Sequence, residues 1–175
     1  PGVAGVSEGF DFFGGALADG DFNADGRTDL AIGAWGENSA SGVAHALYGS
    51  AAGLAAVGSQ LWSQDSPGIV GGPEEADFFG QTLAAGDFNG DSRAELAVGT
   101  PGENVSTGVV HVLLGSAAGL TATGSQLWSQ DSPGVAGTAE QGDRFGDTLA
   151  AGTLTSEGGA AASSRTPSNR TMPLT

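Results

Sequence analysis

The sequence predicts an all-β fold: part of a β-propeller built from four-stranded antiparallel blades. Three observations carry this. The pairs Phe13-Gly14, Phe79-Gly80 and Phe145-Gly146 stand 66 residues apart, and about two-thirds of positions agree between residues 1–66 and 67–132. A fixed period of this kind marks a repeat architecture. Within each period the apolar runs are short and bounded by glycine-rich turns, as strands require, and 32 of the 175 residues are glycine. No long run with helical 3.6-residue spacing competes.

In the first copy a strand is expected over about 16–22 and a second over 29–34. A third, Val43-Ala44-His45-Ala46-Leu47-Tyr48, alternates its side chains, so that Val43, His45 and Leu47 share a face. A fourth, weaker strand centres on Gln60-Leu61-Trp62. Neither face of a lone four-stranded sheet can be buried without a neighbour, so such units stack and share their cores. Solenoid repeats are usually shorter or helical. The expected organisation is one repeat over 1–66, a second over 67–132, the start of a third over 133–152, and a disordered tail over 153–175. Two and a half repeats do not close a ring. The chain is therefore expected to be a piece of a longer one, or to associate with further copies. In the third copy Thr153-Leu154-Thr155 replaces the expected Asp-Phe-Asn, and the polar remainder lacks strand periodicity. Disorder is the reading of such a tail, and a change of reading frame would explain the switch.

The loop between the first two strands carries the chemistry. Asp21, Asn23, Asp25 and Asp29 occupy loop positions 1, 3, 5 and 9; Asp87, Asn89, Asp91 and Glu95 repeat them. Hard oxygen ligands at alternating positions suit a calcium ion, which takes six to eight oxygens at about 2.3–2.6 Å. The expected ligands are those side chains with the backbone carbonyls of Arg27 and Arg93. This is no EF-hand, because position 12 is Ile32 or Val98 rather than a bidentate glutamate. Gly26 stands at the sharp turn and Ser92 at its counterpart. A left-handed backbone there would cost a non-glycine residue roughly 1–2 kcal/mol, so the first loop is expected to bind more tightly. The competing reading is a metal-free turn, since Asp and Asn favour turns; recurrence at fixed spacing argues against it.

Together these motifs resemble the FG-GAP family, whose best-known members build the head of integrin alpha chains. Phe13-Gly14 supplies the FG element, and Leu17-Ala18-Asp19-Gly20-Asp21-Phe22-Asn23 leads into the loop. Leu30-Ala31-Ile32-Gly33-Ala34-Trp35-Gly36-Glu37 takes the GAP position, with Trp35 where the family usually has proline; the second copy reads Gly99-Thr100-Pro101-Gly102. The resemblance covers residues 1 to about 152. It implies calcium in the loops, an extracellular location, secreted or at the cell surface, and adhesion-type recognition of a protein or carbohydrate. A rival reading is a non-catalytic accessory module of a secreted enzyme such as a hydrolase.

Composition narrows the partners. Lysine is absent and the formal net charge is −15, which argues against nucleic acid and against anionic membrane surfaces. Two calcium ions would bring −15 to −11. With no cysteine, disulfide and thiol chemistry are closed, and no apolar run is long enough for a spanning helix. No catalytic residue is expected. Gly5-Val6-Ser7-Glu8-Gly9 matches G-x-S-x-G by letter, but that motif needs a strand-to-helix elbow, and its counterpart lacks serine. His45 and His111 are expected as structural strand residues, because a zinc site needs several converging ligands. Phe13, Phe79, Trp62 and Trp128 are expected to be core anchors between blades. Trp35 is expected to pack locally, with a sugar or partner contact as the competing reading.

Overall fold

The computed structural model describes residues 3, 5 and 8–152; Ser7 and the tail from 153 lie outside the described residues. It contains two four-stranded antiparallel sheets, each in simple meander order. The first holds β1 (Ala16–Gly20), β2 (Asp29–Ala34), β3 (Val43–Ser50) and β4 (Gly53–Trp62); the second holds β5 (Thr82–Gly86), β6 (Glu95–Thr100), β7 (Val109–Ser116) and β8 (Gly119–Trp128). The architecture is consistent with blades of a propeller fragment.

Two strand limits differ from those the sequence suggests. β1 stops at Gly20 because Asp21 and Phe22 turn to the neighbouring sheet: Asp21 O accepts from Ala94 N (2.9 Å) and Phe22 O from Ser116 N (3.1 Å). β4 begins earlier than its weak pattern implies, because a bulge between Ala46 and Tyr48 resets the register and lets Leu54 pair with Gly49.

The main core lies between the sheets. Phe22, Ala31, Ala44 and Ala46 of the first pack with Phe79, Leu83, Leu96, Val98 and Leu113 of the second. Small side chains on the first sheet let the larger ones of the second approach. A smaller cluster of Ala84, Ala97 and Val110 packs against Phe145 and Leu149 of the following segment. Trp62 joins the main core from its edge.

Equivalent aromatics do not share one fate. Phe79 is wholly buried, whereas Phe13 is 56% exposed and Trp128 38% exposed. The expectation of core anchors therefore holds for Phe79 and Trp62 but not for Phe13 and Trp128. Phe79 is covered by the first sheet; among the described residues no sheet covers the face bearing Phe13.

A short turn follows the second strand of each sheet, Glu37–Ala40 and Glu103–Ser106. Three successive residues in each are left-handed: Asn38, Ser39 and Ala40 (φ 54°, 59°, 61°), then Asn104, Val105 and Ser106 (φ 52°, 60°, 63°). Without glycine this costs roughly 1–2 kcal/mol per residue. The return is a row of carbonyls aimed at the next repeat. Ala40 O and Ser41 O accept from Phe78 N and Phe79 N (both 2.9 Å), while Ser106 O and Thr107 O accept from Arg144 N (3.0 Å) and Phe145 N (2.8 Å).

His45 and His111 are buried strand residues, each tilted against the repeat's phenylalanine: Phe13–His45 at 5.2 Å and Phe79–His111 at 5.3 Å between ring centroids. His111 is 2% exposed and its Nε2 has no partner. Burial pushes its imidazole down to about 4 from the ordinary 6.5. The unfolded chain takes up a proton near pH 6.5 that the folded chain refuses until about pH 4. Stability is therefore lost as pH falls through that window. At 1.36 kcal/mol per unit, His111 accounts for about 3 kcal/mol by pH 4. Urea unfolding of wild type and His111→Gln between pH 7 and pH 4 checks this. The stability difference should shift by that amount in favour of the glutamine variant, and a pH-independent difference refutes it.

Candidate metal centre

The two acidic loops join β1 to β2 and β5 to β6. In the first, Asp21 turns both carboxylate oxygens inward: Oδ1 accepts from Asp25 N (3.1 Å) and Oδ2 from Gly26 N (2.8 Å). Asn23 Oδ1 accepts from Asp25 N (2.9 Å), and Asp25 Oδ1 from Arg27 N (2.9 Å). The second loop repeats the arrangement. Asp87 accepts from Gly90 N, Asp91 N and Ser92 N (2.7, 3.1 and 3.0 Å), Asn89 Oδ1 from Asp91 N (2.8 Å), and Asp91 Oδ1 from Arg93 N (2.9 Å). Alternating short acids thus fold the loop around their own side chains, as Asx turns do.

The ninth position is different in kind. Asp29 is fully buried and ties the loop to β3: Oδ2 accepts from Phe22 N (2.9 Å) and Oδ1 from Gly49 N (2.8 Å). Glu95 has the same station with a longer arm, taking Phe88 N (2.7 Å) and Asn89 N (3.3 Å) on Oε2 and Asn89 Nδ2 (2.9 Å) on Oε1. Burial pushes both carboxyls up; the backbone N–H groups pull them down, and neighbouring loop charges push them up again. For Asp29 those charges are Asp21 and Asp25; for Glu95 the charge is Asp91.

The local counter-charge is slight. Arg27 reaches Asp25 at 3.2 Å and Arg93 reaches Asp91 at 3.6 Å, both partly exposed at the surface, where such pairs are worth at most about 1 kcal/mol. Among the described residues no three acidic, histidine or cysteine side chains are spaced to hold a metal ion. The oxygen set nonetheless fits a hard cation in type and charge. An ionised carboxylate has about four acceptor sites, so the loop hydrogen bonds leave lone pairs free.

The left-handed turn is present in both loops but does not separate them. Gly26 and Ser92 have φ of 80° and 70°, as the turn demands. A second left-handed position, two residues earlier, holds Ala24 (58°) and Gly90 (80°). Each loop therefore has one glycine and one strained residue, and the expected advantage of the first loop loses its basis. Periodicity in the sequence shows where each loop turns, but not that it turns twice.

Trp35 stacks on Phe12 (4.0 Å, 9°) and meets Phe78 edge-on (5.7 Å, 76°). Local packing thus accounts for it.

Comparison with known proteins follows the same lines. Residues 79–113 match the FG-GAP repeat family model. Phosphatidylinositol-glycan-specific phospholipase D of Rattus norvegicus is 34% identical over 114 residues, 61% of this chain and 13% of that protein. Its Mus musculus counterpart gives the same figures. Integrin alpha-PS5 of Drosophila melanogaster is 40% identical over 92 residues, 51% of this chain and 9% of that protein. The matched segment is thus a small part of each relative.

Proposed function

We propose, from the premise that this chain carries an FG-GAP repeat, that it is a calcium-stabilised, non-catalytic segment of an extracellular β-propeller used for recognition or adhesion. The observation that carries this reading is the duplicated loop. Asp21–Asp29 and Asp87–Glu95 gather oxygens of the same type around the same backbone path, each anchored by a buried acid. Calcium would be held by Asp21, Asn23, Asp25, Asp29 and the Arg27 carbonyl, and by Asp87, Asn89, Asp91, Glu95 and the Arg93 carbonyl. It would supply positive charge where carboxylates crowd one another, tying down the hairpin whose first residues reach the neighbouring sheet. Its role is structural. The ligand is a protein or carbohydrate met by the assembled propeller, and the remaining blades come from the same full-length protein or from further copies. Among the described residues no helix is long and apolar enough to cross a membrane.

Calorimetric titration tests the metal. Two calcium ions per chain are expected, with Asp25→Ala and Asp91→Ala each removing one. At calcium one hundred times the dissociation constant, each site should stabilise the fold by about 2.7 kcal/mol. No uptake by a folded sample would sink the reading.

A second reading, an accessory module of a secreted hydrolase, is favoured by the phospholipase D relatives, whose match spans 13% of their length. The full-length protein separates the two, because a hydrolase domain beside the repeats would assign the accessory role.

A further inference from the structure

At the turn joining the two sheets, opposite in the repeat to the acidic loops, three side chains distant in sequence come together. Asp77 is 2% exposed, Glu103 9% and Gln64 3%. Gln64 follows the last strand of the first sheet and donates its Nε2 to Glu103 Oε2. Asp77 and Glu103 lie side by side, because Gly102 N, next to Glu103, donates to Asp77 O (3.0 Å), and Asp77 Oδ2 also accepts from Glu74 N (2.6 Å). The charged group facing the pair is another carboxylate, Glu74. No cation offsets them: the ion pairs among the described residues are Arg27–Asp25, Arg93–Asp91 and Arg144–Asp147.

Two neighbouring carboxylates taken out of water with no cation beside them do not both stay ionised, because burial and a like charge nearby each raise a carboxyl's titration. Whichever of the two keeps a proton becomes a donor, since an ionised carboxylate only accepts. A further observation points the same way. Gln64 Oε1 is buried and has no partner, and a buried acceptor left without a donor is costly. A carboxyl proton at this junction is the donor it lacks.

We propose that the Asp77–Glu103 pair holds one proton, donated to Gln64 of the preceding repeat, and that this proton fastens the first sheet to the second. Repetition supports a built device. Glu8 N–Asp11 Oδ2 (2.5 Å), Glu74 N–Asp77 Oδ2 (2.6 Å) and Glu140 N–Asp143 Oδ2 (2.8 Å) recur in all three copies. Glu37 stands beside Asp11 as Glu103 does beside Asp77, but only half-buried. The complete lock is the one where a glutamine from the preceding repeat closes it. Burial first, and then the facing carboxylate, pushes both Asp77 and Glu103 up, in keeping with a retained proton.

The sign of the pH effect follows. The unfolded chain releases the Glu103 proton near its ordinary 4.5, while the folded chain keeps it. Stability is therefore fully present below that value and is lost as pH rises towards the folded titration. Glutamine at 103 keeps the shape and a donor but has no proton to lose.

Urea unfolding of the full 175-residue chain and of Glu103→Gln, from pH 4.5 to 8, is the test. The ratio of folding constants, variant over wild type, should rise towards tenfold per pH unit within the window. Infrared difference spectra at pH 7 should show a protonated-carboxyl band in wild type that Glu103→Gln lacks. Should that variant fold poorly, Asp77→Asn removes the same pair and should show the same trend. A pH-independent ratio, or no protonated-carboxyl band in wild type, overturns the proposal.

Discussion

Truncating Phe79 to alanine should cost the chain about 3–5 kcal/mol, the range for a fully buried aromatic whose cavity cannot collapse. The same cut at Phe13 should cost less than about 1 kcal/mol, within the range for an exposed site. The two residues occupy the same repeat position and rest on equivalent histidines. They differ in cover: Phe79 is wholly buried between the sheets, and Phe13 is 56% exposed. The comparison isolates sheet-on-sheet packing from everything the repeat does internally. Urea midpoints of the two variants, at constant m-value, give the answer. Equal losses would mean that Phe79 works within its own repeat and that the shared core contributes little.

That pair also shows where the sequence stops being informative. Periodicity and short apolar runs were enough for the strands and their antiparallel order, because a period of two and glycine-rich punctuation act locally. The acidic loops were legible for the same reason: Asp21 to Asp29 and Asp87 to Glu95 fold around their own neighbours. Burial was not legible, since identical Phe-Gly pairs meet different surroundings. Nor was the left-handed run at Asn38–Ala40 and Asn104–Ser106, which contains no glycine to announce it. Carbonyls offered to the following repeat hold it there, and that is a tertiary cause. The Gln64–Glu103 contact bridges 39 residues, a separation on which no local pattern bears. Its signal was nonetheless present: Glu and Asp three apart recur in every copy, and Gly-Glu-Asn follows the second strand of both full ones. The expected ranking of the loops loses its ground on a subtler point: both turn twice through left-handed backbone, and each has its one glycine at a different turn.

Glycine at 42 should prove harder to replace than glycine at 53, although both have positive φ, +86° and +103°. At Gly53 an added Cβ meets nothing within 4 Å, so alanine there should cost only the left-handed backbone, roughly 1–2 kcal/mol. At Gly42 the Cβ would lie 2.2 Å from Phe79 O and 2.6 Å from Phe79 N. Those are backbone atoms and cannot swing aside. They also flank the bond from Phe79 N to Ser41 O, 2.9 Å long, that holds the second repeat to the first. Relief requires Phe79 to withdraw, which breaks that bond and strands a buried N–H at about 1–3 kcal/mol, besides loosening the ring from its pocket. Gly42→Ala should therefore lose at least about 2 kcal/mol more than Gly53→Ala. Its unfolding should also become less cooperative, with a lower m-value as the sheets uncouple. Gly108 meets Phe145 in the same way, at 2.4 Å from both N and O, so Gly108→Ala should release the third-repeat segment from the second sheet. Equal costs at 42 and 53 would show that the sheets do not approach backbone to backbone, and the shared core would have to be redrawn.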